Sequence, residues 1–494
     1  MLFFRKSFIL LVVVMMTLPS GVWAEEPQAT DALENIQQKV AQALKRAGAR
    51  SADWGVSILD PDDKRILTEV NPDSVFLPAS VIKMVTTAAA TERLGPDFRY
   101  CTGVYASGAL YENGVLDGDI ILVGRGDPNL LNAHGGPERQ TAPASLAETI
   151  KGLGIREITG DVVGDDSYFS PSGRGRTSVY GNPDTTYGAP VTALSINDNI
   201  INVTARASKS GKNVDISIEP RTGYFRIRNL AEVGKSGDKQ TLSIRLLNGS
   251  NSLVISGILP SSNSVTQAVV LNKPAETVAA VFKEELERRG IKAKGGVRAV
   301  HYGGVSNETK ESWVLLAEYQ SSSLIHSIEI INKRSQNLHA EMLLRTLGAE
   351  IYGVGSDGAG LTAVNSFLVD AGIHYDGIRI NDGCGLSREN FLTPRFQTAF
   401  LEFLLRQPYF NLFFNTLAVS GTDGTLTSRL SANYVKGAIH AKTGTLNGVA
   451  TLSGYISTRS GRNLVFCIFA NRVTETESVK KTIDEICSLF ATLY

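Results

Sequence analysis

Ser80 and Lys83 stand one helical turn apart in Leu77-Pro78-Ala79-Ser80-Val81-Ile82-Lys83-Met84. Residues at i and i+3 share a helix face, so the amine can reach the hydroxyl and take its proton. Desolvation by Ile82, Met84 and Val85 draws such a lysine toward its neutral, basic form, and a helix start supplies N–H groups where an oxyanion would develop. Together these parts would support acyl transfer through a serine ester. The competing reading is a helix-capping serine beside a solvated lysine, and the local sequence alone favours it.

Ser-x-x-Lys recurs at Ser236/Lys239, in a Gly-rich turn, and at Ser478/Lys481, near the exposed start of the last helix. Context therefore has to choose. Ser335-Gln336-Asn337 offers a second hydroxyl and an amide, but Ser195-Ile196-Asn197, Ser261-Ser262-Asn263 and Ser431-Ala432-Asn433 share its pattern, and alone it reads as a helix cap. Lys442-Thr443-Gly444 occurs once, on a strand. There Lys442 and Thr443 can donate to an anionic group such as a terminal carboxylate, and Gly444 lets a substrate backbone come close. Gly-x-Ser-x-Gly, His-Glu-x-x-His and Cys-x-x-Cys are all absent, so no metal or cofactor is called for.

These residues need elements to hold them. Asp31 to Gly48 has the periodicity of an amphipathic helix, followed by strands at Gly55–Leu59 and Arg65–Val70. The C-terminal end supplies strands at Ala438–Thr443, Val449–Ser457 and Asn463–Ala470 and a helix from Glu475. Five strands from the two ends, with two terminal helices, predict one antiparallel sheet covered on a face. Between them, Phe98 to Tyr302 has short strands with Gly, Asn and Ser turns, interrupted by helices near Ser145–Leu153 and Ala275–Arg289. Helical periodicity returns from Leu315 to Phe414.

Ser-x-x-Lys, Ser-x-Asn and Lys-Thr-Gly in this order are jointly specific, and on them the chain resembles the D-alanyl-D-alanine carboxypeptidase/endopeptidase family of low-molecular-mass class C penicillin-binding proteins. The long interval from Ser80 to Ser335 selects that subfamily, which carries a large insertion there. Gly124–Pro128, Ala193–Asn199, Asp382–Ser387 and Asp423–Leu426 extend the resemblance over nearly the whole chain. Cys384 departs from it, since the family usually has serine at that place.

The resemblance implies an α+β fold: a β-lactamase/transpeptidase-like domain, with a five-stranded antiparallel sheet and a helical subdomain, formed by 25–97 and 303–494. A β-rich insertion, expected as two nested subdomains, would span 98–302. It also implies that Ser80 attacks the penultimate D-Ala carbonyl of a peptidoglycan stem peptide, with Lys83 as base and the Ser80 and Thr445 N–H groups as oxyanion hole. Ser335 would relay a proton, Asn337 orient Lys83 and bind the substrate amide, and Lys442 and Thr443 hold the carboxylate. Asp165 and Arg388 are the candidates for recognising a diaminopimelate side chain. β-Lactams would act as covalent inhibitors. The alternatives are a β-lactamase or esterase of the same fold, and a catalytically silent wall-binding protein.

With 49 basic and 49 acidic residues and no basic patch interleaved with aromatics, the composition disfavours nucleic acid as a partner. Arg5 and Lys6, the apolar run Phe8–Leu18 and the small residues before Glu25 read as a signal peptide cleaved after Ala24, and so as export to the periplasm. Peripheral membrane association stays open. Cys467 and Cys487 could meet as a disulfide or stay buried thiols, alongside Cys101 and Cys384.

Overall fold

The alternation of side chains along Asn463–Asn471 shows how the terminal parts of the chain meet. In the computed structural model, which describes residues 27–46, 48–130, 141–171, 189–208, 213–373 and 376–494, this strand is buried on both faces. Leu464, Phe466, Ile468 and Ala470 enter one core with Val479, Ile483, Ile486 and Phe490, while Val465, Cys467 and Phe469 enter another with Phe396, Phe400 and Leu401. A period of two sends successive residues to opposite faces, so an unbroken apolar run marks a central strand with cover on both sides. Helices accordingly flank the sheet on both faces.

The sheet has six strands in the order Ala418–Val419, Ile439–Leu446, Val449–Ser457, Asn463–Asn471, Asp53–Asp60 and Arg65–Val70, all antiparallel. The sixth, Ala418–Val419, is too short to announce itself as an alternating run. Helices Pro27–Leu44 and Thr476–Leu493 border one face. On the other face pack Lys83–Leu94, Leu324–Arg334, Asn337–Tyr352, Asp357–Asp370 and Pro394–Leu405. Cys467 and Cys487 belong to the two different cores, which explains why they remain free thiols, as do Cys101 and Cys384.

The stretch between the Ser80 helix and the Ser335 motif carries a seven-stranded mixed sheet and two three-stranded sheets. One of its strands lies beyond residue 302: Val314–Gln320 pairs antiparallel with Cys101–Leu110. Its apolar residues had suggested helix, yet tertiary pairing decides the conformation of so short a run. Helices Ala142–Gly152 and Pro274–Arg288 contribute to a core shared by all three sheets, in which Leu122, Ile201, Ile255 and Phe282 take part.

Candidate active site

Three chain segments far apart in sequence converge where the Ile439–Leu446 strand passes the start of the Ser80 helix. That helix begins as a 3-10 turn, Ala79–Ile82, and continues as an α-helix over Lys83–Leu94. Ala79 has φ +48°, a left-handed conformation costly for a residue with a Cβ, and such strain persists only where surroundings over-determine it. Here Thr451 Oγ1 donates to the Pro78 carbonyl at 2.9 Å. A Cβ on Gly385 would lie 2.1 Å from the Ala79 carbonyl oxygen, so this glycine permits the close approach of the Asp382–Ser387 loop.

Ser80 makes no capping hydrogen bond; the capping reading is overturned. Its Oγ instead accepts from Lys83 Nζ at 2.9 Å. The same amine donates to Asn337 Oδ1 at 2.6 Å and to the Cys384 carbonyl at 2.5 Å. Lys83 is fully buried, and this burial lowers its pKa against the opposing influence of Cys384, Asp382 and Glu341. Cys384 thus contributes its backbone oxygen, which serine would offer equally, and the departure from the family pattern leaves this contact intact.

Ser335 ends the Leu324–Arg334 helix in a left-handed conformation, φ +60° and ψ +38°, and Asn337 opens the next helix, Asn337–Tyr352. This tight junction places two side chains of one tripeptide at the site. Ser335 Oγ accepts from Lys442 Nζ at 2.9 Å, and Lys442 also donates to the Thr443 carbonyl at 2.8 Å. Burial, reinforced by the charge of Lys83, pushes the Lys442 pKa well down. The site therefore holds two hydroxyl–amine pairs, with both amines buried and both serines partly open to solvent.

Thr443 Oγ1 donates to Thr425 Oγ1 at 2.8 Å. Thr445 is exposed on the same strand. The Ala418–Val419 strand pairs only as far as Ala441, so among the described residues no strand covers the edge of Lys442–Leu446 on that side. Gly444 serves the protein's own packing: a Cβ there would fall 2.2 Å from Thr451 Oγ1 and 2.8 Å from the Pro78 carbonyl. Its expected role in admitting a substrate backbone gives way to that of letting the strand lie against the helix start. Gly444→Ala is expected to cost about 1–3 kcal/mol through overpacking and to lower the acylation rate by pushing the Ile439–Leu446 strand away from the start of the Ser80 helix; thermal unfolding and β-lactam labelling of the variant check both.

The structure does not bring Asp165 to this cluster. It is fully buried at the end of the Val162–Asp165 strand, where its carboxylate accepts from Lys310 Nζ at 2.9 Å and from the Ser167 N–H at 2.8 Å. A buried carboxylate already occupied in this way is a structural ion pair, and the proposed part in substrate recognition is withdrawn. Arg388, in contrast, is exposed and donates to the Asn447 carbonyl at 3.0 Å, which ties the Asp382–Ser387 loop to the turn after the Lys442 strand.

Sequence reasoning missed Glu341. It sits on the Asn337–Tyr352 helix, accepts from the Gly383 N–H at 2.9 Å, and lies with Asp382 and Cys384 such that their ligand-type atoms fall within 4.8 Å of one another. The only signal was a Glu one turn beyond Asn337, on the same helix. Asp382 accepts from the Gly385 and Ser387 N–H groups and from Asn390, so this cluster is committed to hydrogen bonds rather than built around a cation.

Burial and the Asp382 charge push the Glu341 carboxyl up to about 8; Cys384 and Arg345 lower it and Asp357 adds to the rise. Below that pH the group is neutral; above it, a new negative charge favours the ammonium form of Lys83 and removes the base. The acylation rate of the wild type is therefore expected to fall behind that of Glu341→Gln above pH 8, with the two alike near pH 6.5. Stopped-flow pH profiles of both proteins check this sign.

The family model described as D-Ala-D-Ala carboxypeptidase 3 (S13) family matches residues 36–493, and the chain belongs to that family of serine peptidases. A D-alanyl-D-alanine carboxypeptidase from Actinomadura sp. (strain R39) is 31% identical over 92% of this chain and 85% of its own length. The D-alanyl-D-alanine carboxypeptidase DacB of Haemophilus influenzae is 27% identical over 85% of this chain and 86% of its own. The crystal structure of penicillin binding protein 4 from Haemophilus influenzae superposes with a TM-score of 0.76 at 25% identity, covering 91% of this chain and 97% of that one.

Proposed function

We propose that the protein is a serine-type D-Ala-D-Ala carboxypeptidase acting on peptidoglycan stem peptides, able also to cleave cross-links as an endopeptidase. The observation that carries this reading is the pair of buried lysines, each hydrogen-bonded to a partly exposed serine, inside a chain of the D-Ala-D-Ala carboxypeptidase family. Ser80 Oγ attacks the penultimate D-Ala carbonyl as its proton passes to Lys83 Nζ. The Ser80 and Thr445 N–H groups hold the oxyanion, placed by the strand that Gly444 allows against the helix start. When the C–N bond breaks, the proton that Lys83 took is relayed through Ser335 to the leaving D-Ala nitrogen, so Lys83 is again neutral. As water then attacks the ester, Lys83 takes the water's proton and returns it to Ser80 Oγ as the ester bond breaks.

The open edge of Lys442–Leu446 suits an extended peptide, which can add to the sheet as a further strand. Thr443, oriented by Thr425, and Lys442 stand where the terminal carboxylate arrives. Asn337 holds Lys83 and presents its amide to the substrate backbone. Arg388 borders the same edge and is the remaining candidate for contact with the diaminopimelate side chain. A β-lactam enters by the same attack and remains as the acyl ester.

Mass spectrometry after incubation with penicillin and with a stem pentapeptide tests the reading. The expected outcome is a lasting penicilloyl adduct on the Ser80 peptide and release of one D-Ala. Rapid penicillin turnover with no adduct would instead identify a β-lactamase, and neither reaction a silent wall-binding protein.

The reading also sets the enzyme in the periplasm. Support comes from the charged, apolar, small-residue order of residues 1–24, which lie outside the described residues. No helix among the described residues is long and apolar enough to cross a membrane. A purified mature chain beginning at Glu25 would establish the cleavage.

A further inference from the structure

A cavity of about 380 Å³ opens on the inserted seven-stranded sheet, and neither serine–lysine pair lines it. Its walls bring together Tyr105, Tyr168 and Trp313 with Arg125, Lys310 and Asp165. Lys310 lies over the Trp313 ring at 5.8 Å and Arg125 over the Tyr168 ring at 5.9 Å. Asp165, fully buried, holds Lys310 in place. Arg125 is exposed beside the cavity. With Glu311 at the rim, two cations face two acids, so the lining as a whole is balanced and favours a neutral ligand. Flat amphipathic rings flanked by fixed donors and acceptors are what a neutral, polyhydroxylated ring needs: its C–H face stacks while its hydroxyl and amide groups find partners.

The position of the cavity supports the same identification. Tyr168 and Phe169 pack along the Asn337–Tyr352 helix, Phe169 with Leu338 and Met342, and Tyr168 Oη donates to Glu350 near the helix end. Asn337, at the other end, holds Lys83. Asn337 and Glu350 are about 20 Å apart along that helix at its rise per residue, and a stem pentapeptide drawn out fully reaches about 17 Å.

We propose that this cavity is a saccharide subsite, holding an N-acetylated hexosamine of the glycan that carries the stem peptide while Ser80 acts on the peptide's far end. It rests on the peptidoglycan reading above for the identity of the polymer, and on the cavity's own chemistry for the binding of a sugar.

The test uses the full mature protein and a tetramer of β-1,4-linked N-acetylglucosamine that carries no peptide. Trp54 is buried, so Trp313 fluorescence reports occupancy. Saturable quenching is expected in the wild type and in Ser80→Ala, and its loss in Arg125→Ala, an exposed position that controls for misfolding; in Trp313→Ala, which lacks the reporter, the loss of saturable binding is read by titration calorimetry. Both variants should raise KM for stem peptides on intact glycan by about fivefold, the effect of one lost stacking contact, with hydrolysis of free pentapeptide unchanged. Absence of saturable binding, or binding unaltered in both variants, overturns the proposal. Tetramer binding without hydrolysis of either substrate would leave the saccharide site standing and refute the peptidase reading.

Discussion

Ser80→Ala is expected to abolish covalent labelling by penicillin and to lower D-Ala release by about 10⁴-fold or more, since groups acting as one nucleophilic unit fail together when any is removed. The substitution deletes one partly exposed hydroxyl whose hydrogen-bond partner is Lys83. Lys83 keeps Asn337 Oδ1 and the Cys384 carbonyl, so the fold and the thermal midpoint should stay close to those of the wild type. Intact-mass measurement after penicillin treatment, beside a thermal scan, checks both halves. Persistent stoichiometric labelling would refute the assignment of Ser80.

Lys83→Met carries the second largest expected effect. Methionine matches the stem of lysine in volume, yet it cannot accept the Ser80 proton, and loss of a general base costs about 10²–10⁴-fold in rate. The same change leaves Asn337 Oδ1 and the Cys384 carbonyl without their buried donor, at about 1–3 kcal/mol for each unsatisfied group. Against this, the cost of burying an amine disappears. A pre-steady-state acylation rate down by at least a hundredfold, with penicillin still bound reversibly, is the expected result. An unchanged acylation rate would move the role of base to Lys442.

Ser80 and Lys83 are three positions apart, and helical geometry puts them on one face, where their side chains can meet. The strand at Asn463–Asn471 and the amphipathic last helix were equally legible, because an unbroken apolar run and a helical period are local properties of a chain. Glu341 was not, since its partners Gly383, Asp382 and Cys384 arrive from a loop distant in sequence. Nor was Asp165, whose turn-like surroundings gave no sign that Lys310 would occupy it. Val314–Gln320 lies outside what local pattern decides, since a short apolar run takes its conformation from whichever strand it meets, here Cys101–Leu110.

By itself the sequence determined the order and chemical type of the three motifs, and hence the reaction class and family. Tertiary structure decided that Ser80, rather than capping its helix, faces Lys83, and that Lys83 and Lys442 are buried far enough to lose their protons more readily. It decided too that Gly444 and Gly385 bring their backbones against the helix start. Desolvation and close backbone approach both depend on atoms contributed by segments far apart along the chain, and only the folded protein brings those atoms together.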